Sequence, residues 1–282
     1  MEKQNQSLDW NNIWKNQMQM HNKNYLDCCE LWNKGDIVQE YDRMAEIGHW
    51  KEIILRKIDR IKSVHNLKIL DIGAGPGTHS IPLALKSHEV TAIEPSDAML
   101  NCMRKKIEKK EIKNIRCIKK RWEEIDLEKD LDCPYDVVIA SFSLSMFELK
   151  KAIEKIDKAS ARYVYIVWHI GLPDWEKNYR DIWQKIHGKR YYEVPKTDLL
   201  FNNLCQINIF PNIETYSMKS SYKFNSFDNA FEYFKNEFFI KNRNQEIILR
   251  EYLKNRIQKE NGYITLKGPT KYAVVWWDKK KT

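Results

Sequence analysis

The sequence predicts an α/β fold in which helices pack on a mostly parallel β-sheet, and two observations lead to this prediction. From residue 66 onward, short apolar runs alternate with amphipathic stretches, which is the pattern of parallel strands joined by crossover helices. Five such units lie between residues 66 and 170, and two further strand-like runs near the C-terminus would complete a sheet of seven strands.

Each predicted strand is a short run rich in β-branched, aromatic or other apolar residues. In chain order, the predicted strands cover residues 68–72, 89–94, 115–119, 135–141, 163–168, 213–224 and 272–277.

Helices are predicted around and between these strands. The first sixty residues look helical, because residues 8–34 carry periodic aromatic side chains and residues 36–61 carry apolar side chains at helical spacing. The helices expected after them cover residues 78–86, 97–110, 149–160, 173–187, 199–207, 227–240 and 245–258.

The composition is that of a folded protein. The chain has 282 residues, and its 10 Trp, 14 Tyr and 10 Phe supply ample apolar area for a core. No run reaches the ~20 apolar residues of a membrane helix, and the first residues lack the order of a signal peptide. The six cysteines show no CxxC motif and no zinc-ligand spacing, so we expect a reduced, cytoplasmic protein without a structural zinc site.

The most informative segment is a glycine-rich turn at residues 70–78, Leu-Asp-Ile-Gly-Ala-Gly-Pro-Gly-Thr, between the first predicted strand and a helix. Glycines let the backbone turn tightly and approach a ligand closely. The free N–H groups at the start of a helix favour a negative group. Strand, glycine turn and helix together predict a nucleotide-type site.

Two acids help to decide between a dinucleotide and S-adenosylmethionine (SAM) as the ligand. A dinucleotide fingerprint needs a third glycine where the chain has Thr78. Asp71, just before the first glycine, suits a cationic amine better than a pyrophosphate. Glu94 ends the second strand 19 residues after Gly75, close to the ~20-residue offset at which an acid meets ribose hydroxyls. The missing third glycine and the position of Asp71 favour a ligand with an amino-acid end, such as SAM.

In these segments the chain resembles the class I SAM-dependent methyltransferases. Residues 70–78 resemble the family's first motif, residues 90–96 its second and residues 135–142 its fourth. The resemblance implies a Rossmann-like sheet of seven strands with an antiparallel last strand, with SAM as cofactor and S-adenosylhomocysteine (SAH) as product. The cofactor-binding residues that it implies are Asp71, Gly73, Ala74, Gly75, Gly77, Glu94, Pro95, Ser141 and Ser143.

The same resemblance assigns roles to these residues. Asp71 and the glycine loop would hold the methionine end of SAM, and Glu94 would bind the ribose hydroxyls. Ser141 and Ser143, which follow the fourth strand, would face the sulfonium.

The third motif departs from the family pattern. Arg121 stands where the family usually has an Asp beside the adenine. We expect Trp122 to pack on or near the adenine, with Glu123 next to it in the same site and a backbone donor contacting the base.

The segment upstream of the core could cover the cofactor, as in many relatives. Tyr41 or Arg43 is expected to contact the SAM carboxylate, for which an arginine offers a fixed fork of donors. The alternative is that Arg43 is a solvated helix charge.

No repeat or Gly/Ser/Pro-rich linker marks a domain boundary. The division that we expect is an N-terminal helical cap at 1–62, a SAM-binding core at 63–170 and a helical lid at 171–208. Residues 209–282 would complete the sheet, with a helical insertion at 226–262.

Methyl transfer from a sulfonium is an in-line displacement that depends mainly on alignment in a dry pocket. His169, at the tip of the fifth strand, is the best candidate for a general base, and its alternative role is structural. The residues after the fourth strand offer no acidic ligands, so we predict no catalytic metal.

A small-molecule acceptor is the favoured substrate, selected by the N-terminal helices and the later insertions. The candidate acceptor residues form an aromatic and basic set: Trp175, Tyr179, Arg180, Trp183, Arg190, Tyr191 and Tyr192. Two alternatives remain open. Ten Lys or Arg between Arg104 and Arg121, in a chain with a formal net charge of +9, could contact RNA or another macromolecular substrate. A SAM-binding protein without turnover is the third possibility.

Overall fold

The computed structural model describes residues 8–24, 32–33, 35–47, 49–61 and 66–280. The N-terminal residues that were compared with a signal peptide lie outside these ranges, as do two of the six cysteines, Cys28 and Cys29.

A single β-sheet organises the part of the chain that the structure describes. The order of its strands is β3-β2-β1-β4-β5-β8-β6, and a short β7 pairs with β8. Strands β1 to β5 are parallel, and β8 runs antiparallel to both β5 and β6. The strands are β1 (Lys68–Ile72), β2 (Glu89–Ile93), β3 (Ile115–Ile118), β4 (Tyr135–Ser141), β5 (Ser160–Ile170), β6 (Asn212–Phe224), β7 (Gln258–Glu260) and β8 (Tyr263–Asp278).

The predicted fold class is confirmed, with the last strand antiparallel. Ten α-helices lie in the described ranges: α1 (Trp10–Asn22), α2 (Gly35–Ile47), α3 (His49–Asp59), α4 (Ser80–Ala84), α5 (Asp97–Lys109), α6 (Leu149–Ala159), α7 (Asp174–His187), α8 (Thr197–Gln206), α9 (Phe227–Glu237) and α10 (Arg243–Arg256).

Both faces of the sheet are buried, because side chains alternate between two helical layers. Leu70 and Ile72 face a core that contains residues of α1, α6 and α8. Ile69 faces a core that contains residues of α2, α3 and α4. Helix α8, which the sequence pattern places in the helical lid, therefore belongs to a layer of the core, since Leu199, Leu200 and Leu204 pack on the sheet.

Strands β6 and β8 extend beyond the carboxyl edge of the parallel strands. Ile170, the last residue of β5, pairs with Lys271, whereas β8 begins at Tyr263 and β6 continues to Phe224. At ~3.3 Å per residue, this antiparallel strand pair projects roughly 25 Å past β5. Helices α7, α9 and α10 share one aromatic core with the strand pair. We call the projecting strand pair and these three helices the lid.

Candidate functional site

The glycine loop follows β1 in a conformation that requires glycine at two positions at least. Gly73 has φ +66 and Gly77 has φ +85, in the left-handed region. A Cβ on Gly73 would lie 2.3 Å from the Cβ of Ser143, so the loop passes directly against the turn after β4. The Ala74 amide donates to the Ile93 carbonyl at 2.9 Å, which ties the loop to β2.

Glu94 is held by backbone donors at the end of β2. Its Oε2 accepts from the Gly75 amide and its Oε1 from the Ser96 amide, each at 2.8 Å. Burial raises the pKa of Glu94, and the two amide hydrogen bonds oppose that rise. The side chain is buried, so the loop, the acid and the start of α5 at Pro95 and Ser96 form one unit.

Asp71 lies in β1 directly beneath the loop, and its Oδ2 accepts from the Ser80 hydroxyl at 2.6 Å. Burial raises the pKa of Asp71 to about 6, although hydrogen bonds from Ser80 oppose the rise and the Glu94 charge adds to it. Two buried carboxyls, which pair with no cation in the part of the chain that the structure describes, therefore flank the glycine loop. Such a pair favours a ligand that brings positive charge and hydroxyl groups.

Helix α2 covers the loop. A Cβ on Gly75 would meet Tyr41 at 3.9 Å, and burial near Glu94, Asp71 and Asp42 raises the pKa of Tyr41 above its usual value. Asp42 pairs with Lys106 on α5, which anchors α2 to the second βα unit. Tyr41 thus lies beside the glycine loop, and its contact with the SAM carboxylate stays a prediction.

The turn after β4 carries a bulky residue in an unusual backbone conformation. Phe142 has φ +53, which is rare for an aromatic residue and is often found at functional sites. The Ser143 hydroxyl donates to the Ile72 carbonyl at 2.7 Å. Ser141 is buried, and its Oγ has no hydrogen-bond partner among the described residues.

The His169 ring lies at the end of β5, stacked on Phe142 with 4.7 Å between ring centroids. Trp175 contacts the same ring edge-on, with 5.5 Å between ring centroids. Burial, together with the Lys196 and His21 charges, lowers the pKa of His169 to about 3, so the ring is neutral at pH 7. Its buried Nδ1 has no hydrogen-bond partner within the described ranges.

Three residues that were expected to contact the cofactor have their observed partners away from the carboxyl edge of the sheet. Arg43 donates to Glu40 through Nε at 2.8 Å and Nη2 at 2.6 Å, and it lines a separate cavity with Lys223. The Trp122 ring is buried in the core, where its Nε1 donates to the Ala152 carbonyl at 3.1 Å. The side chain of Glu123 is exposed, and its backbone carbonyl accepts a hydrogen bond from the Lys155 ammonium. The ion pair of Arg43 with Glu40 on the surface of α2 agrees with the alternative that Arg43 is a solvated helix charge. The roles of Trp122 and Glu123 at the adenine stay predictions.

Sequence reasoning missed two residues of this site. Ser80, the hydroxyl partner of Asp71, lies nine positions further along, where the only signal was a hydroxyl in the first turn of the following helix. Phe142 gave no signal, because its role depends on contacts with His169 and Tyr272 from other strands.

Residues 69–162 match a family model described as a methyltransferase domain. These residues form a class I SAM-dependent methyltransferase domain. The protein is accordingly a methyltransferase that uses SAM as its methyl donor.

Two relatives and one solved structure place the methyltransferase among known proteins. A Haemophilus influenzae protein described as uncharacterized is 26% identical over 214 residues, 74% of this chain and 75% of that one. A protein of Methanosphaera stadtmanae described as a probable ribosomal RNA small subunit methyltransferase A is 34% identical over 93 residues, 31% of this chain and 34% of that one. The YcgJ protein of Bacillus subtilis is 13% identical and has a similar fold, with a TM-score of 0.52, covering 82% of this chain and 98% of that one.

The residues at the carboxyl edge fit SAM. Gly73 leaves no room for a side chain, and the carboxyls of Asp71 and Glu94 have no cationic partner among the residues that the structure describes. Buried polar atoms without hydrogen-bond partners in the described chain also lie along this edge, namely Thr78 Oγ1, His79 Nε2, Ser141 Oγ and His169 Nδ1. A polar, cationic cofactor supplies partners for such groups. The described residues contain no cluster of three or more potential metal ligands and no helix long and apolar enough to span a membrane.

The raised pKa of Asp71 predicts that cofactor binding depends on pH. Since burial raises this pKa from 3.8 to about 6, the ionised form costs stability as the pH rises through that interval, and a bound ammonium group offsets the cost. SAH affinity should therefore be constant well above pH 6 and fall by up to about tenfold per pH unit below it.

Calorimetric titrations between pH 5 and 8 measure this dependence, with Asp71→Asn as the variant. The variant should bind more weakly at pH 8 and lose most of the pH dependence. A wild-type affinity that stays constant down to pH 5 would show that Asp71 does not bind the amine.

Proposed function

We propose that the protein methylates a small molecule, held between the carboxyl edge of the sheet and the lid. Tyr41 and the glycine loop would hold the donor on one side of this space, and His169 would face the acceptor on the other. When bound, SAM supplies an electrophilic methyl group. The residues of the chain align the acceptor with it and exclude water.

The observation that carries this proposal is the position of the lid. The antiparallel pair of β6 and β8 projects past β5, and Trp175 on α7 contacts the His169 ring. Met44 on α2 packs against the same aromatic core of the lid. Elements before and after the methyltransferase domain thus meet above the edge, an arrangement suited to enclosing a compact acceptor.

The predicted aromatic and basic set divides into two groups. Tyr179, Trp183 and Tyr191 are buried in the lid and stabilise it. Arg180 and Arg190 line an open cavity of about 690 Å³ beside α1, together with Tyr192. Of the predicted aromatic residues, Trp175 is the one whose ring contacts His169.

RNA is the second candidate acceptor, because the Methanosphaera relative is described as acting on ribosomal RNA. Ion pairs within this chain weaken the case. Among the ten basic residues at 104–121, four pair with acids outside that run: Lys106 with Asp42, Arg116 with Asp132, Lys119 with Asp97 and Lys120 with Asp130. Their attraction for phosphates is reduced accordingly.

Transfer of radiolabelled methyl groups from SAM into a cell extract separates the two candidates. The extract is divided into small-molecule, RNA and protein fractions. The same transfer with Glu94→Ala shows how much of the label depends on the cofactor site of this protein. Label in the small-molecule fraction is the expected result. Label that is retained on RNA and released by ribonuclease would overturn the proposed substrate class.

His169 is proposed to orient the acceptor through its unpartnered Nδ1. Because its pKa of about 3 makes it a weak base, the neutral ring is better suited to accepting a hydrogen bond than to holding a proton. With an acceptor in hand, His169→Ala should lower kcat by about 100-fold, because a misplacement of the acceptor by about 1 Å costs roughly that factor, and should leave SAH affinity within a few-fold. Undiminished turnover at saturating SAM would remove His169 from the reaction.

A further inference from the structure

Glu237, in the last turn of α9, is a buried acid in the lid, and no cation pairs with it among the described residues. It is 8% exposed, and its Oε1 accepts a hydrogen bond from the Tyr179 hydroxyl at 3.1 Å. Its Oε2 has no hydrogen-bond partner in the described part of the chain. A buried carboxyl with an unsatisfied oxygen is costly, so its presence calls for an explanation.

The other buried acids have a partner or belong to the cofactor site. Among the described residues, six carboxyl side chains are buried. Asp174 pairs with Arg256, Glu176 with Lys196 and Asp278 with Arg162. Asp71 and Glu94 flank the glycine loop. Glu237 remains, and like the two acids beside the glycine loop it has no cationic partner within the described ranges.

Glu237 lies between α7 and α2, the two helices that border the proposed acceptor site. Tyr179, its hydrogen-bond partner, is on α7, where its ring contacts the ring of Trp175 at 6.1 Å, and Trp175 in turn contacts His169. On the other side, Glu40 on α2 is near enough for its charge to act on Glu237, and the next residue, Tyr41, covers the glycine loop.

The charges around Glu237 favour a positive ligand. Burial is the main cause that raises the pKa of Glu237 to about 7, and the Glu40 charge adds to it, while the hydrogen bond from Tyr179 and the nearby Tyr233 hydroxyl oppose it. Arg43, the nearby cation of α2, is engaged by Glu40. An ammonium group would both satisfy the free oxygen and contact the aromatic faces around it.

We propose that the methyl acceptor carries an amine, which Glu237 binds as an ammonium ion from the lid side of the site. The proposal rests on the proposed function, since it names the class of small molecule. Which atom of the acceptor receives the methyl group is a separate matter, because Glu237 anchors the molecule.

Binding of matched probes tests the proposal without turnover. Calorimetry in the presence of saturating SAH compares 2-phenylethylamine with 2-phenylethanol, and butylamine with butanol. The wild-type protein should bind at least one amine about tenfold or more tightly than its alcohol, because a hydrogen bond to a charged group is stronger than one to a neutral group. The preference should grow between pH 6 and 8 as Glu237 ionises.

Two variants on α9 form a matched pair. Glu237→Gln is nearly isosteric and should reduce the preference for the amine to about threefold or less. Glu232→Gln removes an exposed carboxyl five residues earlier on the same helix and should leave the preference unchanged. Thermal unfolding and SAH binding of both variants verify that the fold and the cofactor site are intact.

The outcomes separate this proposal from the proposed function. Amines that bind no more tightly than alcohols, or a preference that survives Glu237→Gln, would overturn the amine proposal while SAH binding stays intact. A wild-type protein that fails to bind SAH would instead contradict the proposed function itself.

Discussion

Replacement of Glu94 by alanine is expected to lower SAH affinity by about 100-fold or more. The carboxylate orders the Gly75 and Ser96 amides through two hydrogen bonds of 2.8 Å, and it is proposed to bind the ribose hydroxyls as well. Each hydrogen bond to a charged group contributes about 1.5–3 kcal/mol, and about 1.4 kcal/mol corresponds to a tenfold change in affinity. The variant loses both the ligand contacts and the order of the loop.

Glu89→Ala is the matched control for this experiment, because Glu89 is an exposed acid at the opposite end of the same strand. Calorimetric titration with SAH should give wild-type affinity for this control. Equal affinities of Glu94→Ala and the wild-type protein would reject the assignment of Glu94 to the ribose.

Gly268→Ala is expected to destabilise the lid. A Cβ at this position in β8 would lie 1.6 Å from Oδ1 and 1.8 Å from Cγ of Asp174. Asp174 is buried, its amide donates to the Thr270 hydroxyl, and its carboxylate pairs with Arg256. Because this residue cannot move without breaking those contacts, we expect the free energy of unfolding to fall by about 3 kcal/mol.

Thermal unfolding measures the effect of Gly268→Ala, and Gly35→Ala is its control, since an added Cβ at Gly35 meets no atom of the described residues within 4 Å. We also expect Gly268→Ala to retain SAH affinity within a few-fold, because the lid does not form the glycine loop. A melting temperature equal to that of the control would contradict the packing described here.

The parallel part of the fold was predictable because each strand is a continuous apolar run buried on both faces. The bounds of β1 and β4 agree with the predicted ones, and those of β2 and β3 differ by one residue. The first half of β8 was missed, since Lys267, Gly268 and Pro269 interrupt its apolar pattern. The polar β7 likewise carries no strand signal. Both β7 and the first half of β8 depend on pairing within the projecting part of the sheet.

The cofactor residues were predictable to the extent that one motif carries them. The glycine loop and Glu94 come together because β1 and β2 are adjacent parallel strands, a local relation that spacing reveals. Glu237 could not be found in this way. It is one of many acids in the sequence, and only the packing of α9 against α7 and α2 buries it where no other described residue supplies a cation.

Hydrogen exchange of the backbone amides with and without SAH tests the central claim most directly, that the methyl donor binds at the carboxyl edge beneath α2. We predict that SAH slows exchange at residues 72–79, at 94–97, at 141–144 and in α2, and leaves the basic run at 104–121 unchanged apart from its contact with α2. Protection that is absent from the glycine loop, or confined to the open cavity between α1 and α7, would contradict the account.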